Sequence, residues 1–298
     1  MPCYHPLTAY KTADGSVIFQ ERKGDVVSTL SLPCGQCIGC RLERSRQWAM
    51  RCMHESSLHK ANSFLTLTYS NDFLPERGQL VYTDFQKFMK RLRKRVHPLK
   101  PRFYMCGEYG ETTSRPHFHA CIFGFDFPDK RAFKRSGSGA VLYRSELLES
   151  LWPYGQSLIG DVTFESAAYV ARYVMKKVTG HNSKSHYERL DSDTGEIYSM
   201  VPEFTRMSLK PGIGAGWFDK YQSDVYPHDF VVVRGKETKP PKYYDRLLEK
   251  ANPDAFEVLK FERESAARSN YLDNTDERLL VKENVKKAAI KSFNRGSI

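Results

Sequence analysis

Arg115-Pro116-His117-Phe118-His119-Ala120-Cys121-Ile122-Phe123-Gly124 is the stretch on which the reading of this chain turns. Its aromatic and β-branched residues suit a strand. Alternation then sets His117 and His119 on one face and Phe118, Ala120 and Ile122 on the other. Two imidazoles about 7 Å apart by strand rise can converge on one ion. Upstream, Arg102-Phe103-Tyr104-Met105-Cys106-Gly107-Glu108 reads as a second strand. Residues 109–116 would form the hairpin connection that brings Glu108 beside the histidines. One carboxylate and two imidazoles leave positions open on a divalent ion, as catalysis requires. Glu111, in the connection, is the alternative carboxylate.

Working outward, Phe64-Leu65-Thr66-Leu67-Thr68-Tyr69 reads as a further strand, a core strand first and a contributor to the site second. Between the strands, Thr83-Asp84-Phe85-Gln86 has the form of a capping box. Behind it, Phe85, Phe88, Met89, Leu92 and Val96 recur at helical spacing, with Lys and Arg over most of the remaining surface. Residues 63–178 thus alternate strands and helices.

The next informative segment is Glu165-Ser-Ala-Ala-Tyr169-Val-Ala-Arg172-Tyr173-Val-Met-Lys176-Lys177-Val178. Ala167, Val170, Ala171, Val174 and Val178 make an apolar stripe. Tyr169, Arg172, Tyr173 and Lys176 recur at i, i+3, i+4 and i+7 on the opposite one. A structural tyrosine would usually join the apolar face. A phenol has a pKa near 10 and is a poor nucleophile at neutral pH. Nearby cations favour the phenolate, and a metal on a phosphate makes the phosphorus more electrophilic. Attack on a phosphodiester would leave a 5′-phosphotyrosine and a 3′-hydroxyl that can prime synthesis.

The composition agrees with such a substrate. The 298 residues carry 46 Lys and Arg against 35 Asp and Glu, a formal charge of +11, which favours a polyanionic partner. No apolar run is long enough to span a bilayer. The first residues lack the layout of a secretory signal, which points to the cytoplasm. No Gly-x4-Gly-Lys-Ser/Thr loop is present, so no nucleotide-driven motor is expected.

Three of the seven cysteines fall in Cys34-Gly-Gln-Cys37-Ile-Gly-Cys40, a spacing that suits metal ligation in a reducing compartment. A tetrahedral zinc site needs a fourth ligand. Cys3 is the first choice, across short strands at 16–21 and 27–32, and Cys52 and His54 are alternatives. An iron–sulfur cluster is the competing reading of the same thiolates. Cys106 and Cys121 read as core residues. A helix is expected from Arg41 to about His59, and exposed helix from about Pro253. The segments at 210–216 and 239–242 read as loop and turn. Three regions follow: a Cys-rich segment at 1–60, a core at 61–180 and an accessory region at 181–298.

Together these segments resemble the HUH endonucleases of rolling-circle replication, in which a strand, a histidine-hydrophobe-histidine strand and a tyrosine-bearing helix follow in that order. The resemblance is closer to the replication initiators of Microviridae, and to their gokushovirus branch. It rests on Pro33-Cys-Gly-Gln-Cys-Ile-Gly-Cys-Arg41, Cys106-Gly-Glu-Tyr-Gly110, Arg115-Pro-His-Phe-His119, Tyr169-Val-Ala-Arg-Tyr-Val-Met-Lys-Lys177 and Pro240-Pro-Lys-Tyr-Tyr244. It implies an α+β fold: a central antiparallel sheet flanked by helices, with an N-terminal Cys-rich extension and a C-terminal helical one. It implies His117, His119 and Glu108 as ligands of Mg²⁺ or Mn²⁺, and Tyr169 and Tyr173 as nucleophiles. Lys176 matches the lysine of the motif, with Lys177 next in line.

The expected activity is nicking and rejoining of single-stranded origin DNA in the cytoplasm of a host bacterium, with host helicase and polymerase as partners and no membrane. A plasmid relaxase or single-strand transposase would share the chemistry. A zinc-bearing DNA-binding protein without catalysis is the alternative of a different class.

Overall fold

The computed structural model describes residues 3–110, 112–172, 178, 183–191 and 194–293. In chain order, the N-terminal elements are strands β1 (Leu7–Thr12), β2 (Val17–Ile18) and β3 (Val26–Leu32), then helix α1 (Ile38–Ser57). The middle holds β4 (Asn62–Thr68), α2 (Tyr82–Arg95), β5 (Arg102–Tyr109), β6 (Pro116–Phe123), β7 (Arg131–Arg135), β8 (Val141–Arg144), α3 (Glu146–Leu151), β9 (Ser157–Gly160) and α4 (Phe164–Arg172). Beyond it lie α5 (Ser183–Tyr187), β10 (Glu188–Leu190), β11 (Ile197–Ser199), β12 (Phe204–Met207), α6 (Ala215–Val225), β13 (Val231–Val233) and β14 (Lys236–Thr238). Helices α7 (Lys242–Ala251), α8 (Pro253–Ser269) and α9 (Asp276–Phe293) complete the described chain. Two compact units result, Met1–Arg44 with Glu257–Ile298, and Ser45–Phe256. None of the described helices is long and apolar enough to cross a membrane.

The larger unit is built on a seven-stranded sheet of order β12-β5-β6-β4-β9-β8-β7, antiparallel at every pairing. This is the α+β architecture implied by the resemblance. Both faces of the central strands are covered. On one, Leu65 and Leu67 of β4, Met105 of β5 and Phe118, Ala120 and Ile122 of β6 pack with Phe85, Phe88, Met89 and Leu92 of α2 and with Leu148 and Trp152 at α3. On the other, Tyr104, Cys106, Cys121 and Phe123 meet Ala49 and Cys52 of α1 and Ala167, Val170 and Ala171 of α4. Cys106 and Cys121 are therefore core residues, as expected. The two-sided burial explains why β6 is apolar at nearly every position except its histidines.

The elements differ from the sequence reading at three ends. Helix α2 starts at Tyr82 behind Val81, with no side-chain cap, so Thr83 and Gln86 form no capping box. Asp84 lies inside the first turn, where a carboxylate suits the helix dipole, and accepts hydrogen bonds from Tyr69 Oη at 3.0 Å and Lys87 Nζ at 3.2 Å. Helix α1 starts at Ile38 rather than Arg41, which places Cys40 in its first turn. The strand expected at 16–21 is confined to Val17–Ile18, because a 3₁₀ turn takes over at Glu21–Lys23.

One buried charge ties α1 to the start of β5. Glu55 accepts from Arg102 Nε at 2.6 Å and from the Gly214 backbone N–H at 2.7 Å. Burial pushes this carboxyl up, but His59, the Gly214 amide and Arg102 together outweigh it and hold it below its ordinary value. A depressed carboxyl stabilises the fold above its unfolded pKa and loses that contribution as pH falls through the folded value. Glu55→Ala takes the carboxylate away from Arg102, which keeps only its bond to the Pro211 carbonyl, and leaves the Gly214 amide without its acceptor; it is expected to cost about 3–5 kcal/mol at neutral pH. Urea titrations of wild type and variant should show that difference shrinking as the solution is acidified below the carboxylate range.

Candidate metal and nucleophile site

Register brings the site together. In the β5–β6 ladder Glu108 lies directly opposite His117, and Cys106 opposite His119. From the other side, β4 places Thr66 opposite His119 and Thr68 opposite His117. All of these side chains rise from the face covered by α1 and α4, because each strand alternates in step with its neighbour.

Glu108 Oε1 lies 2.7 Å from His117 Nε2 and 3.0 Å from His119 Nε2. The ligand atoms of Glu108, His117 and His119 all fall within 4.8 Å of one another. Glu108 is 2 % exposed and His119 6 %, so the set is anchored in the protein while His117 reaches the edge. Burial pushes the Glu108 carboxyl up, yet hydrogen bonds from the two imidazoles and their charge bring the net value below the ordinary carboxylate range. It is a carboxylate at neutral pH.

The outer contacts of the histidines set their tautomers. His117 Nδ1 is 3.0 Å from the Arg115 carbonyl oxygen, which can only accept, so Nδ1 carries a proton. Nε2 is then the ring nitrogen that faces Glu108, where it can donate to the carboxylate or, once deprotonated, bind a cation. His119 Nδ1 is 3.0 Å from Thr66 Oγ1, which can accept in the same way. Glu108 Oε2 is buried with no hydrogen-bond partner among the described residues. Two ring nitrogens and a carboxylate facing one point form a donor set that suits a divalent cation and leaves the remaining positions open.

Thr66 is the residue that sequence reasoning passed over. Its strand was recognised, but its partner depends on register, which a sequence does not print. Thr66→Val keeps the shape and removes the acceptor for His119 Nδ1. We expect Mn²⁺ affinity to fall about 10–100-fold by calorimetric titration, with little change in the folded state.

Tyr169 stands over this group. Its ring meets His119 edge-on at 5.0 Å and 89°, and Phe64 at 6.5 Å and 80°. Phe64 in turn lies nearly parallel to His119 at 5.7 Å. Helix α4 buries Ala167, Val170 and Ala171, as its periodicity predicts. Tyr169 is not turned away from the sheet, as the helical wheel suggests; it is half-buried at the margin of the packed face. Arg172 is exposed. Tyr173, Lys176, Lys177 and Glu111 lie outside the described residues.

The smaller unit holds a second group. The sulfurs of Cys3, Cys34, Cys37 and Cys40 lie within 4.8 Å of one another. Cys52 and His54 have other surroundings: Cys52 is buried in the core, and His54 is stacked on Trp217 at 3.6 Å and bonded to Tyr244 Oη at 2.8 Å.

Residues 62–178, from β4 past α4, match the family model described as replication-associated protein ORF2/G2P. The chain is 34% identical over 263 residues to replication-associated protein VP4 of Bdellovibrio phage phiMH2K, covering 85% of this chain and 79% of that one. It is 31% identical over 293 residues to replication-associated protein ORF2 of Spiroplasma virus 4, covering 90% and 87%. With replication-associated protein ORF4 of Chlamydia phage 1 the identity is 32% over 227 residues, 74% and 54% of the two chains. No solved structure matches. These likenesses agree with the resemblance to phage rolling-circle initiators, and the chain belongs to the family of replication-associated proteins ORF2/G2P.

Proposed function

We propose that this protein nicks single-stranded DNA at a phage replication origin and rejoins it, using Tyr169 and Tyr173 as nucleophiles. The observation that carries this reading is the edge-on contact of Tyr169 with His119, 5.0 Å between ring centroids, because it sets a phenol beside a cation-binding group. The charge of +11 supports a nucleic-acid substrate, and the names of the relatives support replication over plasmid transfer or transposition.

Glu108, His117 and His119 would hold Mg²⁺ or Mn²⁺, which supplies a Lewis acid at the scissile phosphate. The protein's residues do the rest. The tyrosine oxygen attacks phosphorus, its proton passes to solvent or a nearby base, and the P–O3′ bond breaks. The departing 3′-oxygen is protonated to a hydroxyl, and the 5′-phosphate stays on tyrosine. Lys176 favours the phenolate by its charge. Rejoining is the reverse, with a 3′-hydroxyl attacking phosphotyrosine. Two tyrosines at i, i+4 can alternate, one holding DNA while the other cuts. In the host cytoplasm, host polymerase would extend the 3′-hydroxyl while host helicase separates the strands.

The test is a denaturing gel of origin DNA labelled at its 3′ end, incubated with protein and Mn²⁺. A labelled adduct that survives denaturation, disappears with chelator and disappears in Tyr169→Phe/Tyr173→Phe supports the reading. Binding of cognate DNA without cleavage or capture rejects it in favour of a DNA-binding protein without catalysis.

A further inference from the structure

We propose that Cys3, Cys34, Cys37 and Cys40 hold one zinc ion in a closed tetrathiolate site that staples the smaller unit. This stands apart from the chemistry of the histidine site. The four sulfurs lie within 4.8 Å of one another, and Cys37 Sγ is 4.0 Å from Cys3 Sγ, so the thiols are close but not bonded as disulfides. Zinc–sulfur bonds of about 2.3 Å in a tetrahedron put sulfurs about 3.8 Å apart. An iron–sulfur cluster hangs its thiolates on different irons and spreads them more widely. The spacing here is that of a mononuclear site.

The backbone is arranged for thiolates. The Cys34 amide donates to Cys3 Sγ at 3.3 Å, the Cys37 amide to Cys34 Sγ at 3.2 Å and the Tyr4 amide to Cys37 Sγ at 3.4 Å. Gly35 supplies the left-handed turn, at φ 73°, between the first two ligands of the loop. Cys40 follows in the first turn of α1, where unpaired amides favour negative charge. With four sulfurs present, a tetrahedral ion has no open position, so the site is structural rather than catalytic.

The unit also needs a staple. Among its described residues the buried apolar side chains are Cys3, Ala9, Leu259 and Leu279, a very small core for three strands and three helical segments. Zinc would join the first residues of the unit to the start of α1 across β1, β2 and β3. Loading releases thiol protons to solvent and changes no oxidation state.

The experiment is metal analysis of the full-length protein purified without chelator, with cobalt(II) substitution read by absorption. Wild type and His117→Ala/His119→Ala should both retain about one zinc per chain and, with cobalt, show a thiolate-to-cobalt charge-transfer band. Cys3→Ser/Cys37→Ser should lose both. Cys37→His should keep the metal with a shifted cobalt spectrum, which separates ligation from misfolding. Absence of zinc together with absence of the thiolate–cobalt band would overturn the proposal, as would iron–sulfur absorption. Because the histidine site has no thiolate, failure here leaves the nicking reading standing, and failure of nicking leaves the zinc site standing.

Discussion

His117→Ala/His119→Ala is expected to lower metal-dependent cleavage of single-stranded origin DNA on the order of 10³-fold or more, since removing a single preorganised donor from a charged transition state already costs about 10²–10³. The variant keeps Glu108 but strips away both imidazoles that approach its Oε1 at 2.7 and 3.0 Å. A lone buried carboxylate cannot hold the ion in a fixed position. It also loses the hydrogen bonds that keep its own pKa low, so burial would then push Glu108 toward the neutral acid. Single-turnover cleavage with Mn²⁺, read beside calorimetric Mn²⁺ titration, checks this. Binding of DNA should fall much less, because most affinity for a polyanion comes from dispersed Lys and Arg. A variant that cleaves normally would remove the histidines from the chemistry.

Gly155→Ala should cause the largest loss of stability for one added methyl group. Gly155 sits at φ 152°, a conformation that side chains disfavour, just before β9. A Cβ there would lie 2.5 Å from the Thr68 carbonyl oxygen and 2.7 Å from the Tyr69 carbonyl carbon, and closer still to the Ser70 amide nitrogen. These are backbone atoms held in place by hydrogen bonds: Thr68 N–H donates to the Gln156 carbonyl at 2.8 Å, and Ser70 N–H to the Tyr154 carbonyl at 2.9 Å. The Thr68 carbonyl also accepts from Trp152 Nε1 at 3.2 Å. No flexible side chain can move aside to relieve the clash. Overpacking and backbone strain together suggest a cost of about 2–5 kcal/mol. For a unit of this size a thermal melt should show a fall on the order of 10 °C. Thr68 lies opposite His117, so Mn²⁺ affinity should weaken as well. An unchanged melting temperature would mean that the close approach of Gly155 to the end of β4 is mistaken.

The parts of this architecture that follow from local pattern were legible in the sequence. The alternation of His117 and His119 against Phe118, Ala120 and Ile122 appears in the structure with the two sets on opposite faces. The i, i+3, i+4, i+7 spacing of Phe85, Phe88, Met89 and Leu92 is the buried side of α2. Cys3 joins Cys34, Cys37 and Cys40, because strands β1 and β3 pair antiparallel and return the chain to its start. What escaped depends on register or on distant segments. Thr66 meets His119 because β4 pairs with β6 at one particular offset. The edge strand β12 carries no signal that assigns Phe204–Met207 to β5. The position of Tyr169 escapes a helical wheel, which separates apolar from polar but does not show that the margin of the apolar stripe meets a histidine. The apparent capping box fails because the helix starts at Tyr82 behind Val81, which puts Thr83 inside the first turn instead of at the cap.

The most direct test of the central claim is to locate the covalent bond. The protein is incubated with single-stranded origin DNA and Mn²⁺, the adduct is trimmed with nuclease, and its peptides are mapped by mass spectrometry. The proposed chemistry predicts a nucleotide joined through its 5′-phosphate to Tyr169 or Tyr173, and none when chelator is present. An adduct on any other residue, or cleavage that leaves a free 5′-phosphate with no protein-linked intermediate, would contradict it.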